Sequence, residues 1–132
     1  MSKIAHTPGP WHRNIKPARK YPTVWAGRNT HIAAVVAGAP YGSGNGETMS
    51  DEEMEANIDL IAAAPEMLEA LRLHKAWSDS ENSGPDYGGQ TRDTHPDGER
   101  IWRAWWNNQL DLCDRAQKAT EAAISKATGG AA

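Results

Sequence analysis

Residues 50–77 read S-D-E-E-M-E-A-N-I-D-L-I-A-A-A-P-E-M-L-E-A-L-R-L-H-K-A-W. Ser50 with Glu53 three residues on is the signature of a capping box, and Asp51, Glu52, Glu53 and Glu55 suit the positive end of a helix dipole. Apolar residues then come thickly, with Met54, Ile58, Leu60, Ile61, Met67, Leu68, Leu71, Leu73 and Trp77 among them. Between Ile58 and Leu73 they cover more than one helical face, so the pattern predicts a long helix buried on two sides. Pro65 lacks an amide hydrogen and crowds the preceding turn, which predicts a kink or a break there.

On the N-terminal side, residues 1–46 read as a basic β-meander. Pro10 to Lys16 alternates Trp11, Arg13 and Ile15 against His12, Asn14 and Lys16, the period of a half-buried strand. Tyr21–Ala26 and Thr30–Ala37 are rich in Val, Ile, Thr and Trp, and Gly27-Arg28-Asn29 supplies a turn between them. Residues 38–48, with four glycines, lack the Lys-Ser/Thr ending of a phosphate loop and read as a mobile connector.

On the C-terminal side, residues 78–98 are acidic and almost without apolar residues, so a flexible loop or a functional lid is expected. A second helix follows over 99–127, capped by Thr94 or Asp97 and stopped by Gly129-Gly130. Its stripe is Trp102, Trp105, Leu112, Ala116, Ala119, Ala123 and Ala127, with Gln109 as a polar gap. The expected architecture is α+β: one domain over 1–132, with a small N-terminal antiparallel meander followed by two long antiparallel helices. One small sheet cannot cover both helices, and six tryptophans in 132 residues imply subunit contacts, so a homo-oligomer is expected.

Composition excludes several classes. A single cysteine, Cys113, rules out a disulfide framework and any multi-cysteine zinc site. No run approaches the roughly 20 apolar residues of a membrane helix, and the N-terminus shows no secretory signal. A soluble cytoplasmic protein without membrane partners is therefore expected. The five histidines are scattered, with no paired metal-binding spacing on one helical face, and no nucleophile motif occurs. Neither catalysis, a cofactor nor a metal is expected. The net charge of −3 hides an asymmetry, for residues 1–46 carry six basic side chains and no acidic one, whereas eight basic residues face all seventeen acidic ones thereafter. The two parts complement each other, or the basic part holds an anion. A nucleic acid is disfavoured as partner, because the acidic remainder would repel a polyanion.

Two stretches, His6-Thr7-Pro8-Gly9-Pro10-Trp11 and Ala56-Asn57-Ile58-Asp59-Leu60-Ile61-Ala62-Ala63-Ala64-Pro65-Glu66-Met67-Leu68-Glu69-Ala70-Leu71, resemble a group of small phage and prophage proteins. In that group an H-T-P-G-P-W opening precedes strands and an A-N-A-R-L-I-A-A-A-P-E-L-L-E-A-L helix. This chain has Ile58-Asp59 where the group has Ala-Arg, which leaves any ligand role at that position without its usual residue. The order of elements further resembles the Thoeris anti-defence sponge proteins of phages.

That second resemblance implies an oligomeric, non-enzymatic protein that sequesters a cyclic nucleotide signal, a cyclic ADP-ribose isomer or cyclic oligonucleotide, in the cytoplasm of the infected host. The implied partner is a small anionic nucleotide. Trp25 and Tyr41 would stack on the base, Arg28 and Arg72 would hold phosphates by forked donors, and Asn57 would read a base edge or ribose hydroxyl. Each residue also has a structural role open to it. Trp25 can serve the core, Asn57 can make a helix-packing hydrogen bond, and Arg72 can pair with Glu69. The alternative function is an oligomeric interaction module acting on a host or phage protein. The sponge predicts a pocket with basic walls; the module predicts a flat exposed apolar face.

Overall fold

The computed structural model describes residues 5–14, 23–27, 30–34 and 50–130. Its elements are β1 (Trp11–Arg13), β2 (Thr23–Ala26), β3 (Thr30–Ala34), α1 (Asp51–Ala62), α2 (Ala64–Ser83) and α3 (Gly98–Ala127). This is the α+β order expected, with three helices in place of two. The expected connector at residues 38–48 lies outside the described residues. The chain forms two compact units, Met1–Met67 with Ala122–Ala132, and Leu68–Glu121.

In the first unit the strands form an antiparallel sheet in the order β1-β2-β3. Trp11 stands opposite Ala26, and Thr23 opposite Ala34, with a bulge between Val24 and Trp25. Gly27 turns the chain after β2 with φ +61°, a left-handed conformation that glycine adopts without steric cost. β1 alternates as the sequence predicts, Trp11 and Arg13 half-buried and His12 exposed. The core forms where α1 meets the sheet. Val24 and Ile58 are wholly buried and Ala62 nearly so, with Trp11, Ile32, Met54 and Ile61 packed around them.

The capping box is present: Ser50 Oγ accepts the Glu53 amide at 3.1 Å. The helix of residues 50–77 is broken rather than kinked. Ala63 ends α1, its amide bonding back to Asp59 and Leu60, and its carbonyl accepts the Met67 amide to open the next helix. Pro65 is thereby the second residue of α2, where the amide it lacks would have had no intrahelical partner.

In the second unit α2 and α3 run antiparallel. His74 Nε2 meets Thr120 Oγ1 at 2.8 Å, and six residues further along α2 the Ser80 carbonyl accepts Trp105 Nε1 at 3.0 Å, fifteen residues back along α3. Thr120 Oγ1 donates to the Ala116 carbonyl at 2.8 Å. Ala70 and Ala116 are buried, small side chains that let two helices approach closely. Gln109, the polar gap of the stripe, is buried with them.

The expected loop 78–98 is shorter at both ends. α2 continues to Ser83 and stops at Gly84, whose φ of +65° is the usual left-handed helix stop. Residues 84–97 are a chain of polar turns. Asp86 Oδ1 accepts the Gly88 amide, Thr91 and Thr94 bond reciprocally through hydroxyl and amide, and Gly98 donates to the His95 carbonyl. Such side-chain-to-backbone bonds order a segment with no apolar core of its own. Arg92 then grips Glu99 with two donors, at 2.7 and 3.0 Å, and lies 4.1 Å above the Trp102 ring. Bonding to Arg92 holds the Glu99 carboxyl below its ordinary value.

Candidate functional site

Within the first unit a cleft of about 720 Å³ lies beside β1, lined by Trp11, His12, Arg13, Asp59, Lys126 and the Gly129-Gly130 turn. Each element has a local reason to bring its side chain there. Strand alternation turns Arg13 to the side of Trp11, toward α1. Asp59 follows Glu55 by one turn of α1, so both carboxylates reach Arg13. Nη1 donates to Asp59 Oδ1 at 3.0 Å and Nη2 donates to Glu55. Partial burial acts to lower the Arg13 pKa, but the hydrogen bonds to the two carboxylates outweigh it and raise the guanidinium above its ordinary value.

Lys126 sits in the last turn of α3. Its Nζ donates to the Trp11 carbonyl and to Glu66 Oε1, both at 2.7 Å. One ammonium thus joins β1, the start of α2 and the end of α3. Two left-handed glycines then curl the chain, with the Gly130 amide bonded to the Ser125 carbonyl at 2.6 Å. Gly129 passes so near α1 that a Cβ there would come within 2.8 Å of Asp59 Oδ2.

Replacing Lys126 by methionine keeps much of the stem but strips two half-buried acceptors of their donor. The expected loss is about 1–3 kcal/mol of stability, read from urea midpoints. Glu66→Leu in the same chain should recover part of it, since the uncompensated carboxylate goes with the lysine.

In the second unit α3 carries a different surface. Trp102 and Trp106 stack with centroids 5.8 Å apart and planes 6° apart. Trp106 is 43% exposed and Leu110, one turn on, 54% exposed. A concavity of about 520 Å³ at the start of α3 is lined by Asp97, Glu99, Arg100 and Arg103. Its charges are already paired, Arg100 with Asp97 and Arg103 with Glu99, each at 3.3 Å.

The residues expected from sequence are distributed as follows. Trp25 is half-buried in β2, its Nε1 bonded to Thr23 Oγ1 at 2.8 Å and its ring edge-on to His31 at 5.0 Å. Asn57 is exposed on α1, not packed among apolar neighbours. Arg72 is exposed on α2 and makes no ion pair with Glu69 or with any other described residue. Asn57 belongs to the first unit and Arg72 to the second. Arg28 and Tyr41 lie outside the described residues. Sequence reasoning missed the roles of Arg13, Asp59, Glu66 and Lys126. The only local signal was their placement, Arg13 on the inward side of an alternating strand and Lys126 one turn before the paired glycines.

Among the described residues no cluster of histidine, cysteine, aspartate and glutamate side chains is arranged to hold a metal. No described helix is long and apolar enough to cross a membrane. In the first-unit cleft each of the cations Arg13 and Lys126 is matched by a carboxylate, and in the second unit α3 bears an exposed tryptophan. The phage family described as Salmonella phage P22 protein Y8K6 matches residues 1–131, and the chain belongs to that family. No curated protein and no solved structure matches it.

Proposed function

We propose that this phage protein acts by binding rather than catalysis, and that what it binds is the surface of another protein inside the infected cell. The observation that carries the reading is the apolar surface left in solvent on α3, Trp106 and Leu110, beside the stacked Trp102. Leu60 on α1 and Leu71 on α2 are likewise about half to two-thirds exposed. Trp106 and Leu110 stand one turn apart on α3, and large apolar side chains grouped in solvent mark contact surfaces.

Sequestration of a cyclic nucleotide, the function implied by the likeness to Thoeris anti-defence sponges, asks for free cations. In the first-unit cleft Arg13 is held by Asp59 and Glu55, and Lys126 by Glu66. A phosphate in this cleft would have to compete with these carboxylates.

Two measurements test it together. Calorimetric titration with cyclic ADP-ribose isomers and cyclic dinucleotides should give no binding heat. Crosslinking of the tagged protein in infected cells should recover a defined host or phage protein, lost on Leu71→Asp. Release of an unaltered cyclic nucleotide from the purified, denatured protein would overturn the reading in favour of sequestration.

A further inference from the structure

The outward face of α3 carries, in order, Glu99, Arg103, Trp106, Leu110, Asp114 and Lys118, at spacings of three or four residues. Its charge order is acid, base, two apolar residues, acid, base. All four charged side chains are exposed, between 57% and 74%. Along the helix they form two pairs of the same polarity, Glu99–Arg103 at 3.3 Å and Asp114–Lys118 at 2.9 Å.

Such an order is complementary to itself under a two-fold axis. When two copies of α3 lie antiparallel with the axis passing between positions 108 and 109, Arg103 faces Asp114 and Glu99 faces Lys118. The same register sets Trp106 within one residue of Leu110 on the other helix, about 1.5 Å along the axis. Parallel alignment in register would instead oppose Arg103 to Arg103 and Asp114 to Asp114, which repel. A two-fold contact is also closed, so it ends at two copies and does not propagate.

We propose that this face of α3 docks on the same face of a second copy, antiparallel, with Trp106 and Leu110 at the centre and the Arg103–Asp114 contacts on either side. The inference rests on the protein-contact reading above and assigns the α3 part of that surface to a second copy, which leaves Leu71 on α2 for the host or phage protein. Each intrahelical pair, Glu99–Arg103, then lies against the oppositely directed Asp114–Lys118 pair of the other copy, a ring of four alternating charges at each end.

Light scattering at micromolar concentration should give twice the chain mass of 14.4 kDa. Trp106→Glu with Leu110→Glu should give the chain mass, with helical circular dichroism retained because both positions are exposed. Arg103→Glu alone and Asp114→Arg alone should each weaken self-association about tenfold or more. Arg103→Glu combined with Asp114→Arg should restore it, since the exchanged charges meet again across the two-fold. A monomeric wild type, a dimer that survives the apolar substitutions, or a charge exchange that fails to rescue would each overturn the proposal. A monomer that still captures a host or phage protein would overturn it while leaving the protein-contact reading standing.

Discussion

Gly98→Ala is expected to be among the most damaging single substitutions in the chain. Gly98 opens α3 with the Arg92 peptide laid directly against it. An added Cβ would sit 1.8 Å from the Arg92 carbonyl oxygen and 2.6 Å from its carbon. The obstacle is backbone, so no rotamer change relieves it. Nor can the Arg92 peptide withdraw freely. Its neighbours Thr91 and Thr94 bond each other, and its own side chain is clasped to Glu99 and laid on Trp102. The cost should reach the upper end of the overpacking range, about 3 kcal/mol. Denaturant midpoints measure it, and hydrogen exchange should accelerate first at the amides of residues 91–99. A variant as stable as the wild type would mean that the turn before α3 yields easily.

Ile58→Ala is the second. Among the described residues Ile58 is the largest wholly buried side chain, packed with Val24 and Ala62 and bordered by Trp11, Ile32, Met54 and Ile61. Truncation removes its transfer free energy and leaves a cavity that these neighbours can fill only in part. The expected loss lies in the range of about 2–5 kcal/mol. Leu71→Ala removes as much hydrocarbon from a position 66% exposed, and should change stability by no more than about 0.5 kcal/mol. Urea unfolding of the two variants side by side checks the contrast. Equal losses would show that burial of the α1 face is not what stabilises the first unit.

The features legible in the sequence are those written in neighbouring residues. The meander, the turn at Gly27, the Ser50 cap and the break near Pro65 each depend on chemistry within a few positions. So does the buried stripe of α3, where Gln109 is enclosed as the spacing required. The extension of α2 to Ser83 was hidden because Ser, Asp, Glu and Asn after Trp77 give no apolar rhythm, although Gly84 marks the stop. The order of residues 84–97 was hidden because it comes from turn hydrogen bonds, and apolar content does not report those.

The exposure of Leu71 has a different cause. Periodicity says which residues share a helical face, not whether another element covers that face. The cleft was the least legible part, since its bonds join residues 46 positions apart, Arg13 and Asp59, or 115 apart, Lys126 and Trp11. Asp59 also stands where the resembling helix motif has arginine. In this chain the exchange supplies the acid that engages Arg13, and an arginine at 59 would have repelled it.

The hydroxyl of Thr120 has one hydrogen, and it is spent on the Ala116 carbonyl. Toward His74 the same oxygen is therefore an acceptor, so the hydrogen of that contact belongs to the imidazole Nε2. The neutral ring is locked in one tautomer, with its lone pair on Nδ1. The clasp between α2 and α3 is thus a directed relay, imidazole to hydroxyl to backbone carbonyl, with each hydrogen pointing along it the same way.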